Sequence, residues 1–336
     1  MPSSYAYINA RVRALKASLL SPEAYNNLLA TSSFSAFTNE LAQSPYVHAL
    51  EEAEATHKGL AAVDQAIASN FDAVTHKILR FSDGDPQTLV GLLLLRFDLN
   101  NLKAVARAKH AGRGAEDASG SLMTVGELKQ ATAERMLEAA DLPSAAQALA
   151  VTKHPLSRAF SRAVRSYASD SSLLGLELTL DRNYYQSLFK ALDTTDHSRD
   201  FARYLKREID ATNIRTALKV RGNDSASTDL FIRGGKEVSA EMFANFIREG
   251  GNLQELSSTS FAEVVDAANL SEAEAVLRES LDASAHQLYF KEPLGIGVVV
   301  YYLRLKEAET ARLRLLARGK FYGVPNAQLE KELGRA

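Results

Sequence analysis

Asp98-Leu-Asn-Asn101-Leu-Lys103, running on to Arg107, Lys109 and Gly112, is the stretch that decides how this 336-residue chain is organised. It returns as Asp210-Ala-Thr-Asn213-Ile-Arg215, followed by Lys219, Arg221 and Gly222. A third version, Glu309-Thr-Ala-Arg312-Leu-Arg314, is followed by Arg318, Lys320 and Gly323. The three acids stand 112 and 99 residues apart, close to one third of the chain. Recurrence at a near-constant period indicates stacked or symmetric units. An enzyme usually breaks its symmetry at one active site, so a motif present three times points to holding rather than transforming.

The pattern around these motifs is helical. Leu92, Leu95, Leu99, Leu102 and Ala106 share one face at 3-4-3-4 spacing. Ser21-Pro22 and Asp85-Pro86 read as a cap before a proline at the first helical position. Thr124-x-x-Glu127, Ser260-x-x-Glu263 and Ser271-x-x-Glu274 have capping-box spacing. Gly297-Val-Val-Val-Tyr-Tyr302 resembles a strand, but helical spacing from Leu303 to Leu316 assigns the whole segment to a helix. The expected order is a short-helix block and then a long helix, three times. The units run over residues 1–115, 116–226 and 227–336, with hinges at Gly112–Gly120 and Gly222–Asp229. Tyr7-Ile-Asn9-Ala-Arg11-Val-Arg13 looks like the tail of a long-helix block, and Pro325–Glu330 like the start of a short one. Three such units are expected to close into a ring.

Composition bounds the function. Hydrophobic residues make up 46% and charged residues 24%, enough for a sizeable core. A net charge of −2 argues against nucleic acid as the main partner. The absence of cysteine excludes disulfides and thiolate sites. The first residues carry no signal-peptide core. The apolar runs Leu89–Leu95 and Leu294–Leu303 fall short of the roughly 20 residues of a spanning helix. The seven histidines are scattered without ligand spacing, so no metal or other cofactor is expected. Gly234-Gly235-Lys236 looks like a phosphate loop, but Glu237 stands where Ser or Thr would hold magnesium.

The ordered set of motifs resembles the C-subunit family of V/A-type ATPases and ATP synthases, whose eukaryotic V-ATPase member is the d subunit. The resemblance rests on Tyr7–Arg13, Phe97–Lys103, Leu180-Asp-Arg-x-Tyr-Tyr185, Glu208–Arg215, Tyr302–Glu309 and Leu313–Gly323. It implies an all-α fold of three pseudo-symmetric units around a central cavity, shaped as a funnel. It implies a rotor adaptor without an active site, peripheral on the cytoplasmic side of the membrane. The implied partners are the central shaft and the membrane proteolipid ring, with one copy per complex and a monomer when isolated. The third motif departs from the other two, with Glu309 and Arg312 in place of Asp and Asn.

Two structural roles are open for Asp98, Asn101, Asp210, Asn213, Glu309 and Arg312: a buried network pinning each long helix to a short-helix block, or the lining of the cavity. The basic tails Arg107, Lys109, Lys219, Arg221, Arg318 and Lys320 lie near helix C-termini, where the dipole favours cations. They are equally placed to form a partner-facing rim. A free-standing helical-repeat scaffold and an all-helical enzyme with a polar pocket are the competing classes.

Overall fold

The computed structural model describes residues 5–115, 122–195, 197–223 and 226–334. Among them are fifteen α-helices, three short 3-10 segments and no strand. In chain order the helices are α1 (Ala6–Lys16), α2 (Pro22–Ala30), α3 (Phe34–Leu41), α4 (Val47–Glu54), α5 (Leu60–Arg80), α6 (Gly84–His110), α7 (Gln130–Glu138) and α8 (Leu142–Ala150). They continue with α9 (Ser157–Asp170), α10 (Leu173–Leu192), α11 (Arg199–Val220), α12 (Ala240–Phe246), α13 (Leu270–Lys291), α14 (Gly297–Phe321) and α15 (Asn326–Leu333). The three motifs fall on α6, α11 and α14. The ambiguous valine run opens α14 as helix. Both expected hinges lie partly outside the described residues.

Seven of the fifteen helix starts carry a side-chain cap. Ser21 Oγ accepts from Ala24 N–H at 3.2 Å, as its place before Pro22 requires. None of the three expected capping boxes forms, and at Thr124 the reason is tertiary. The Glu127 N–H that Thr124 would satisfy is given to Asp98 instead, at 2.7 Å, and no helix starts there. Ahead of α13 it is Asn269, not Ser271, that accepts from the third helical N–H, that of Glu272. Residues 260–263 lead into a 3-10 turn, because Ser260 N–H donates to Glu237. α6 begins at Gly84, with Asp83 rather than Asp85 in the capping position.

The long helices pack side by side: α6 lies against α10, α11 against α13, and α14 against α5. The hairpins α5–α6 and α13–α14 link these pairs. α1 packs on α14 and α5, and α15 on α14 and α2. One core cluster therefore joins distant parts of the chain: Leu28, Phe37, Leu41 and Tyr46 pack with Leu313, Leu316 and Leu329. Each such fully buried side chain contributes about 1.5–3 kcal/mol. No helix among the described residues is long and apolar enough to cross a membrane.

Candidate functional site at three seams and a charged hub

Each motif carboxylate reaches from its long helix to the backbone of a short-helix block, and each does so while buried. Asp98 Oδ2 accepts from Glu127 N–H and from His154 Nε2 at 3.1 Å. His154 Nδ1 accepts from Leu156 N–H, which assigns the ring proton to Nε2. Asp210 accepts from three consecutive backbone groups, Lys236, Glu237 and Val238 N–H, at 2.8, 2.9 and 3.1 Å. Burial pushes the Asp210 carboxyl up from its ordinary value while these three donors pull it down. The phosphate-loop lookalike is thereby explained. Its turn does cradle an anion, and the anion is the chain's own aspartate.

The partner three residues on, an asparagine in two of the seams, acts like a piece of backbone. Asn101 donates to Met123 C=O at 2.9 Å and accepts from Met123 N–H at 2.8 Å. Asn213 does the same with Ile232, both bonds at 2.8 Å. These close contacts require glycine: a Cβ at Gly126 or Gly235 would overlap the carboxylates of Asp98 and Asp210.

The third seam uses a longer acid and no glycine. Glu309 accepts from Leu20 N–H at 2.6 Å and from Tyr46 O–H at 2.8 Å, and pairs with Lys306 at 2.7 Å. Burial holds the Tyr46 hydroxyl well above its ordinary pKa, so it stays a donor; Glu309 adds to the shift. Burial pushes the Lys306 ammonium down, and Glu309 opposes it. Arg312 makes no asparagine-like pair and instead lies 5.9 Å from the Tyr25 ring centre.

The basic tails are engaged as well. Eleven residues after each acid, a cation meets the carbonyls ending a short helix. Lys109 donates to Leu137 and Ala139 C=O, Arg221 to Phe246 C=O, and Lys320 to Leu29 and Thr31 C=O. A cation there satisfies carbonyls that the helix leaves open. Five and nine residues after each acid, further cations pair with the neighbouring long helix. Lys103 and Arg107 meet Asp181 and Glu177 on α10; Arg215 and Lys219 meet Glu274 on α13; Arg314 and Arg318 meet Asp64 on α5. All six residues expected at a rim thus have partners within the chain. Lys320→Met is expected to lower unfolding free energy by about 1–3 kcal/mol, by stranding two part-buried carbonyls. An unchanged urea midpoint would show that the clamp adds nothing.

A hub went unread in the sequence. Two residues before the acids stand Arg96, Glu208 and Glu307. The Arg96 guanidinium bridges both carboxylates, 3.1 Å from Glu208 and 2.8 Å from Glu307, and so ties α6 to α11 and α14. Tyr204 O–H donates to Glu208 at 2.8 Å, and Arg304 pairs with Asp282 at 2.6 Å beside Glu307. The only available signal was positional, because one basic and two acidic residues do not look like copies. A cavity of about 380 Å³ opens beside Glu307, walled by Arg215, Glu274, Arg278, Asp282 and Arg304. Among the described residues no cluster of His, Asp and Glu is suited to a metal. The charges are matched against one another in a way that keeps helices in place.

A family model described as ATP synthase (C/AC39) subunit matches residues 8–332. The C subunit of the V-type ATP synthase of Deinococcus radiodurans is 35% identical, over 99% of this chain and 92% of its own length. That of Thermus thermophilus is 36% identical, over 99% of both chains. The C subunit of the A-type ATP synthase of Haloferax volcanii is 28% identical, over 98% of this chain and 97% of its own length. With its matched length, its all-helical fold and the motifs on α6, α11 and α14, the chain belongs to the ATP synthase (C/AC39) subunit family.

Proposed function

We propose that the chain is the non-catalytic rotor adaptor of a V/A-type ATP synthase. It sits on the cytoplasmic face of the membrane as one copy per complex. It joins the central shaft to the proteolipid ring, so that ATP synthesis or hydrolysis is linked to proton transport. The observation that carries this is the third seam. Glu309 near the end of the chain holds Leu20 and Tyr46 near its start, which supports the reading of three helical units, over residues 1–115, 116–226 and 227–336, closed into a ring. A closed ring resists twisting better than an open stack, because no free edge can splay. The Arg96 hub adds struts that tie α6 to α11 and α14.

Reconstitution tests this. Vesicles carrying the assembled complex are expected to pump protons on ATP addition. The same complex assembled without this chain should still hydrolyse ATP at its head yet acidify nothing. Equal acidification with and without the chain would sink the proposal. The isolated chain is expected to turn over no ATP.

A further inference from the structure

The cations described so far, Arg312 aside, are matched by acids or carbonyls. One groove departs from that pattern. It runs between α1 and α5, has a volume of about 660 Å³, and is walled by Arg11, Lys77 and Arg80 with Tyr7 and Phe81. No carboxylate lines it. Among the described residues no hydrogen bond or ion pair engages the side chains of Arg11, Lys77 or Arg80, and all three are exposed. The Arg11 guanidinium is held in place by aromatic contact, 4.5 Å from the Phe81 ring centre and 6.0 Å from that of Tyr7. Tyr7 meets Phe81 edge-on at 6.1 Å while remaining 61% exposed. Ala14 and Leu15 supply an apolar wall.

We propose that this groove is a docking site for an acidic peptide segment of a partner protein. The charge complementarity is one-sided: three uncompensated cations call for carboxylates. Shape selects a peptide over a membrane. The groove is concave and follows α1 from Tyr7 to Leu15, about 12 Å at 1.5 Å per residue. A bilayer surface meets protrusions, not a trough between two helices. A lone phosphate group would be too small to engage both walls along that length. A short acidic segment matches the length, and its apolar side chains would rest on Leu15, Phe81 and Tyr7. Given the rotor assignment above, the segment belongs to another protein of the same complex.

The test uses the isolated full-length chain and fluorescein-labelled hexaglutamate, read by anisotropy at low salt. The triple variant Arg11→Glu, Lys77→Glu, Arg80→Glu is expected to weaken binding by about tenfold or more. The control triple Arg158→Glu, Arg162→Glu, Arg165→Glu makes the same charge change on the exposed face of α9, and is expected to change it by less than about twofold. Circular dichroism melts check that both variants fold; if the groove triple does not, Arg11→Gln with Arg80→Gln is expected to give a loss of at least about threefold. Equal losses in the two triples would mean diffuse charge attraction and overturn the proposal. So would absence of hexaglutamate binding by the parent chain. Sedimentation with phosphatidylglycerol vesicles that disappears in the groove triple would reassign the groove to lipid. Because the chain is measured alone, a failed rotor assembly leaves this result readable, and the reverse also holds.

Discussion

Asp210→Ala is expected to destabilise the fold by about 3–5 kcal/mol, more than the about 1–3 kcal/mol expected for Asp98→Ala. The difference follows from what each carboxylate satisfies. Removing Asp210 strands three consecutive N–H groups in a turn folded around it. Removing Asp98 strands one N–H and one imidazole, and Asp98 Oδ1 already lacks a partner among the described residues. Urea unfolding of both variants measures the contrast. A smaller loss at Asp210 than at Asp98 would show that the turn at Gly235 reaches water or refolds, and that the cradle is not what holds α11 to the next block. Asp210→Asn should fall between, since an amide oxygen accepts but cannot serve three donors with a full charge.

Arg96→Ala is expected to destabilise by about 3–5 kcal/mol, because Glu208 and Glu307 are left facing each other without their shared cation. Arg96→Met, which keeps most of the side-chain packing and removes the charge, is expected to lose about as much as Arg96→Ala. A urea midpoint for Arg96→Met close to that of the parent would show that the guanidinium contributes by packing rather than by charge.

The sequence carried much of this plan, and the residues show where it stopped. The acid and the basic tails were legible because each copy keeps the residue type at a constant offset. The helical reading of Gly297–Tyr302 came from the spacing that follows it, and α14 runs through it. What each tail touches was not legible. Lys109 and Lys320 look like ordinary helix-end cations until the short helices they clamp are brought alongside. The hub was hidden for a chemical reason: three repeat members that meet at one point cannot all carry the same charge. Thr124 and Glu127 misled because a capping box is a local signal, and a carboxylate 29 residues upstream displaced it. Glu309 reads in the sequence as a departure from the other two motifs. In the structure it does their work with a longer side chain, accepting from Leu20 N–H.

The third seam also sets an order of events. Leu20 and Glu309 are 289 residues apart in the chain. The apolar faces of α2 and α3 lack the part of their cover that Leu313 and Leu316 supply until those residues have left the ribosome. At roughly 5–20 residues per second, the first block waits on the order of tens of seconds with Leu28 and Phe37 only partly covered. The earliest part of the protein to be made is therefore among the last to become native. A nascent chain paused before α14 should be bound by holdase chaperones through its N-terminal block, and released once translation passes Leu316.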